Sequence, residues 1–477
     1  MEFKKCDLSR YRNEYLAAVT ATLSLVATVA AAGWSSPAIP ALQREDSPIP
    51  ITADQGSWIV SILSIGSLFG PIITSLCVDR YGRKLTLLLS VIPLTIGWVM
   101  ITFAEHVSTI YAARFLHGIS HGTVYSVAPI YLGEISSSAI RGSTGILVTV
   151  MAKLAFLLEY SIGPYVDFKT LARMSLTFPI VFLVLFSWMP ESPYYLLAGD
   201  KHEAALASLC WLRRCDGQSE ELYQEFNQMK TLIEKGRHNQ TTIKELFKKM
   251  GGILLQKSNR KSLIIILVLS CGMQLTGINA ILGYSQTIFS KLEMGLQAAE
   301  LSIVLAAVQL LAVVIPTFAV DRAGRRPLLL ISCGGSLLGL LICSIYFTLD
   351  AFGYSVQAFS WVPFLGTLGF IVAFALGLAT VPFAILGEVF PKHIKANANA
   401  AFAIITSVVV FTVVKLFQVI SDGVGTFVSF WIFSVCTAGS GALIYWIIPE
   451  TKGQSLEAIQ KTMLDIGGSK RRPLLCL

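Results

Sequence analysis

The sequence predicts an all-α membrane protein of twelve transmembrane helices, arranged as two six-helix pseudo-repeats joined by a helical cytosolic connector. Three observations lead there. Of 477 residues, 54% are hydrophobic and only 14% charged, against about 25% charged in an ordinary soluble chain. The polar residues gather in short clusters between apolar runs of about 20 residues, the length one helix needs to cross the hydrocarbon core. Three unrelated motifs also recur, in the same order, in the two halves of the chain.

In chain order the spans are expected near 15–36, 56–77, 85–103, 109–131, 143–163 and 171–189, then 262–289, 300–319, 328–349, 362–387, 398–419 and 425–448. The first of them ends in Ala30-Ala31-Ala32 behind a charged N-terminus, as a signal peptide does. Its apolar stretch is too long for a signal core, and removing it would spoil the charge parity described next. Residues 190–261 interrupt the pattern with Lys, Glu and Gln and carry helical pieces at Glu203–Leu212 and Leu222–Ile233. The expected organisation is a cytosolic N-terminus (1–14), a first bundle (15–189), a connector (190–261), a second bundle (262–448) and a cytosolic tail (449–477).

Alternate connections hold 30 of the 37 Lys and Arg residues. Basic loops stay on the cytosolic side, so both termini and the connector are expected there. The net charge of +8 therefore reflects orientation, and no nucleic-acid partner is expected. Nine cysteines are scattered singly, without the pairing a disulfide framework needs. His117 and His121 share a helix face, but two His without a third ligand make a weak metal signal. No metal and no cofactor is expected.

The repeats carry the first chemistry. Asp79-Arg80-Tyr81-Gly82-Arg83-Lys84 follows the second span, and Asp321-Arg322-Ala323-Gly324-Arg325-Arg326 follows the eighth. Glu134 lies seven residues before Arg141 after the fourth span, as Glu388 lies before Lys395 after the tenth. Pro190-Glu191-Ser192-Pro193 follows the sixth span, and Pro449-Glu450-Thr451-Lys452-Gly453 follows the twelfth. Each Gly permits a tight turn between helices. Glu134, Glu191, Glu388 and Glu450 are expected to pair with these arginines where the cytosolic ends of the halves meet, a gate that breaks when they separate. A merely solvated positive-inside cluster would be worth little per pair, and the duplication argues against that.

At these residues the chain resembles the sugar porter family of the major facilitator superfamily. The resemblance rests also on Pro129-Ile130-Tyr131-Leu132-Gly133-Glu134-Ile135 with Arg141-Gly142, and on Gln274-Leu275-Thr276-Gly277-Ile278-Asn279. Gly33-Trp34-Ser35-Ser36-Pro37, Pro190–Leu196 and Lys415 look most like the insect trehalose and hexose facilitators. It implies alternating access around a sugar site near mid-membrane.

The seventh span supplies the candidate contacts Gln274, Thr276, Asn279 and Tyr284, with Gly277 among them. Amides donate and accept at once, which suits sugar hydroxyls, and Gly277 would let the helix unwind. Buried amides also serve simply to bind neighbouring helices. By the resemblance, Gln309, Thr149 and Phe383 should join them. Here the chain departs from hexose carriers, which have Gln at Thr149 and Met273 and Trp at Phe383 and Ser407. Two Trp positions reduced to Phe and Ser suggest a wider cavity, which ranks trehalose above glucose. Arg114, Lys153, Glu159 and Lys415 are charges inside spans, and such residues are functional by default. Three of them lie toward outer ends, where snorkelling is cheap; Lys153 lies deeper.

Four readings follow. The first is a facilitator moving sugar down its gradient in the plasma membrane. The second is a proton-coupled symporter, disfavoured because residues 15–42 hold no acid and coupling needs a titratable group at depth; Glu159 is the only alternative. The third is a sugar receptor that signals without transport. The fourth is an enzyme, for which no catalytic constellation is found in the spans. The expected partners are a small sugar and the lipid bilayer.

Overall fold

The computed structural model describes residues 11–215, 219–236, 257–313, 324–389, 392–448 and 450. The first half begins with α1 (Arg12–Gly33) and α2 (Ser35–Leu42), one span bent at Trp34, followed by α3 (Ala53–Ser67) and α4 (Phe69–Tyr81). Then come α5 (Arg83–Thr102), α6 (Val107–Ile135), α7 (Arg141–Ile162), and α8 (Phe168–Ser175) with α9 (Thr177–Phe186). The connector forms α10 (Pro193–Ala198), α11 (His202–Arg213) and α12 (Glu220–Gly236). The second half holds α13 (Lys257–Gln274), α14 (Ile278–Gly283), α15 (Ser285–Phe289), α16 (Ala298–Ala312) and α17 (Arg325–Ala351). It ends with α18 (Trp361–Leu376), α19 (Val381–Val389), α20 (Lys392–Gly423) and α21 (Thr426–Ile447).

These helices form twelve legs, in agreement with the expected spans. Ten of the legs are long and apolar enough to cross a bilayer, with mean hydropathies of 1.6 to 2.3. The fourth leg, α6, is 29 residues long but diluted by Arg114, His117 and His121. The eighth, α16, has only 15 residues before the described segment ends. Large apolar side chains such as Leu338, Trp446 and Val435 are exposed, as the outside of a bundle solvated by lipid requires.

Close approach rather than apolar bulk joins the early legs. A Cβ on Gly66 would strike the Phe115 carbonyl, and one on Gly118 the Leu63 carbonyl. Backbones that approach this closely gain dispersion contacts in a medium that gives no hydrophobic drive between helices. Arg114, 1% exposed, ties the first, second and fourth legs together by donating to the carbonyls of Ala31 and Ile59 and to Ser35 Oγ.

The connector helices share a small core of Leu197, Ala205, Leu209, Leu222 and Met229. They dock on the basic end of the first half. Arg213 pairs with Glu14 of α1 at 3.0 Å and with Glu225 of α12 at 2.6 Å, while Ser208 Oγ donates to the Glu191 carbonyl at 2.7 Å.

The repeat is visible as geometry. Gly82 and Gly324 adopt φ of 91° and 87°, the left-handed region that glycine alone enters cheaply. Each is followed by a helix whose first N–H groups point at one carboxylate. Glu191 accepts from the N–H of Arg83 and Lys84, both at 3.1 Å; Glu450 accepts from the N–H of Arg325 and Arg326 at 3.0 and 3.1 Å. A carboxylate at a helix start satisfies orphan donors and meets the positive end of the dipole.

Candidate functional site

The seventh leg is broken twice. Gly277, at φ 80°, sits between α13 and α14, and a Cβ there would collide with the Phe433 ring; Tyr284 separates α14 from α15. Across the first break Asn279 Nδ2 donates to Gln274 Oε1 at 2.5 Å. The unwinding expected at Gly277 is therefore present, and the two amides lie together beside it.

Next to this break, α7 of the first half faces α16 and α18 of the second around a cavity of about 30 Å³, room for roughly one water. Its wall includes Thr149, Lys153, Ile278, Gln309, Phe374 and Thr380. Gln309 is 3% exposed and its Oε1 has no hydrogen-bond partner; Thr380 Oγ1 has none either. Unpaired polar atoms in such a wall are costly unless a ligand or water satisfies them.

Other expected contacts are placed differently. Thr276 is fully buried, its hydroxyl donating to the Met273 carbonyl at 2.9 Å. Tyr284 is buried against Phe417, ring centroids 5.3 Å apart, with its hydroxyl unpartnered. Phe383 is not part of this cavity's wall. It is 55% exposed, lies one turn beyond Thr380 and meets the Phe402 ring edge-on. Ser407 does not leave the space that the missing Trp suggested, because Ser67 Oγ of the other half donates to it at 2.9 Å.

At the basic end the described pairs lie within each half. Arg83 pairs with Glu134 at 2.9 Å, and Ser192 Oγ donates to the same carboxylate. Asp79, 88% exposed, sits 3.7 Å from Arg83. Arg80 lies over the Tyr81 ring, and the exposed Arg141 donates to the Ser136 carbonyl. All these partners belong to the first half, just as Arg325 and Glu450 meet within the second. Among the described residues, Glu134, Glu191 and Glu450 thus brace turns and helix starts inside their own halves. Sequence spacing shows that acids and arginines share an end but not which of them touch. Asp321, Arg322 and the side chains of Glu388 and Lys395 lie outside the described residues.

Among the described residues, the bonds that do cross between halves lie at mid-membrane or at the opposite end. Ser36 and Ser285 are joined at 2.7 Å, and Tyr160 OH donates to the Leu282 carbonyl. Lys415 Nζ reaches Asp54 at 2.6 Å and Ser57 Oγ at 2.5 Å, over the Trp58 ring. Sequence reading placed Lys415 near that end but missed Asp54, whose only signal was an acid opening the second span. Glu159, 1% exposed, accepts from Ser175 at 2.5 Å, and its other oxygen has no partner.

With this geometry in hand, comparison places the chain among known proteins. The profile of the family described as "Sugar (and other) transporter" matches residues 9–463. A facilitated trehalose transporter, Tret1, of Culex quinquefasciatus is 31% identical over 463 residues, covering 96% of this chain and 86% of that protein. Its counterpart in Bombyx mori is 29% identical, covering 96% and 88%. The Aedes aegypti counterpart is 30% identical over 94% of this chain but only 55% of its own length. The proton:xylose symporter XylE bound to 6-bromo-6-deoxy-D-glucose superposes with a TM-score of 0.74 at 21% identity, covering 95% of this chain and all of that one. A partially occluded inward-open form of XylE reaches 0.77 at 21% identity.

Proposed function

The chain belongs to the sugar transporter family, membrane carriers and not enzymes, and from that premise we propose that it is a facilitative carrier alternating between its two halves around the central cavity. The observation that carries this reading is the cavity itself. It lies between the halves beside a broken helix, is lined by polar side chains from both, and exposes unsatisfied polar atoms of Gln309 and Thr380 from the second. Sugar hydroxyls would donate to Gln309 Oε1 and exchange bonds with Thr149, Gln274 and Asn279. Of the neutral sugars, trehalose ranks above glucose. The support for that order is the likeness to trehalose facilitators, since Ser407 and Phe383 do not widen the cavity. Both termini and the connector face the cytosol of a plasma-membrane carrier, following the basic loops.

The absence of acid from residues 15–42 supports uncoupled transport. Glu14, the acid just before them, is held at the basic end by Arg213. One observation favours the symporter alternative. Glu159 is a buried carboxyl with a free oxygen, inside the first half near Arg114. Uptake of radiolabelled trehalose and glucose into proteoliposomes tests the proposal. Equilibration without accumulation, unaffected by a protonophore, is expected. Accumulation against the gradient that collapses with the protonophore and is lost in Glu159→Gln would establish coupling instead. Sugar binding without uptake would establish a receptor.

A further inference from the structure

Lys153 is the one cationic side chain in the wall of the central cavity, and the sugar reading leaves it without a task. It projects from α7 one helical turn beyond Thr149, so both share the face toward the second half. Among the described residues its ammonium has neither an ion pair nor a hydrogen bond. It lies over the Phe156 ring, 5.7 Å from the centroid, a weak cation–π arrangement at that range. No carboxylate lines the cavity from α7, α16, α18 or the turn at Thr380. Glu159, the nearest acid on the same helix, lies six residues on, about 9 Å along the axis, and is engaged with Ser175.

An ammonium at membrane depth is costly without a counter-charge, and nothing among the described residues supplies one. We propose that Lys153 makes the central cavity a subsite for a sugar acid, a sugar bearing a carboxylate as a uronate does, in preference to its neutral parent. The proposal rests on the sugar reading given above and narrows its substrate class. A neutral hydroxyl could accept from Lys153 but would leave the charge uncompensated. A carboxylate accepts and neutralises at once, in a low-dielectric site where a charge-assisted bond is roughly twice as strong as a neutral one. A bare anion fits less well, because Gln309 Oε1 and Thr380 Oγ1 also stand unpartnered in the same wall. The amide oxygen needs a donor, which a carboxylate lacks and a sugar hydroxyl provides. The ligand must therefore carry both groups, and since the cavity as it stands holds roughly one water, it is admitted as the two halves move apart.

Proteoliposomes holding the full chain are assayed for uptake of radiolabelled glucuronate, glucose and trehalose, alone and in competition. The expected result is a KM for glucuronate about tenfold below that for glucose. Lys153→Arg should keep the preference and Lys153→Met should abolish it, read as the ratio of the KM for glucuronate to that for glucose in each variant. Equal handling of glucuronate and glucose, or a preference unchanged in Lys153→Met, overturns the proposal and leaves the sugar reading intact. Uptake of trehalose or glucose with no competition by glucuronate does the same. Failure of all three sugars to move or compete overturns the sugar reading and this one with it. If Lys153→Met does not fold, Lys153→Gln with a melting-temperature check carries the same comparison.

Discussion

Lys415 Nζ lies 2.6 Å from Asp54 Oδ1, joining the eleventh leg to the second across the line between the halves. The lysine is 15% exposed and the aspartate 68%, so the pair is partly screened, and an exposed pair contributes about 0.2–1 kcal/mol. Ser57 Oγ and the Trp58 ring hold the same ammonium. Together these contacts bias the carrier toward closure at this end.

Asp54→Asn should shift that bias by about 0.5–1 kcal/mol, a two- to fivefold change in population. A thiol placed at Ser36, whose hydroxyl bonds Ser285 across the halves, should label two- to fivefold faster in Asp54→Asn. Unchanged labelling would show that the pair does not bear on closure.

Gly277→Ala combines a positive φ with a clash against Phe433. Strain of this kind costs about 1–3 kcal/mol. The expected outcome is a lower melting temperature and loss of most uptake. Alanine at Gly133, where a Cβ would meet nothing, should leave both near wild type and serves as the control.

Ser407→Trp places a large ring where Ser67 of the other half now bonds. It should wedge the halves apart instead of refilling a cavity. Trehalose and glucose uptake should therefore fall together, by tenfold or more given the overpacking cost of about 1–3 kcal/mol. Selective loss of trehalose would restore the wider-cavity argument that the present geometry denies.

Glu191→Ala and Glu450→Ala remove equivalent acceptors from the starts of α5 and α17. Losing a helix-start acceptor costs about 0.5–2 kcal/mol. Each variant should lower the melting temperature by a few degrees, with the KM for sugar little changed. A lowered maximal uptake rate with an unchanged melting temperature would instead give these acids the gating role expected from the sequence.

A glycosylation sequon engineered near Glu45 should be modified in cells, and one near Gln218 should not. The reverse pattern would invert the orientation drawn from the basic loops.

Much of the architecture is local and was therefore readable in order along the chain. Apolar runs long enough to span a bilayer, basic loops on alternate sides and Gly at each tight turn each depend on residues close in sequence, and the twelve legs, the connector helices, Gly82, Gly324 and the break at Gly277 follow from them. The central site was partly legible for the same reason: Gln274 and Asn279 flank that break, and Thr149 with Gln309 was reached through resemblance. Which side chains touch across the bundle was decided by packing alone. Glu134 meets Arg83 of its own half, Ser407 meets Ser67 of the other, and Lys415 finds Asp54, 361 residues away in sequence. A spacing pattern fixes the height of a residue in the membrane and, roughly, its helix face; the partner on a facing helix depends on how closely two backbones approach and how they are rotated. The ammonium of Lys153 is of this second kind, since only the assembled wall of α7, α16 and α18 shows that no acid among the described residues lines the cavity with it.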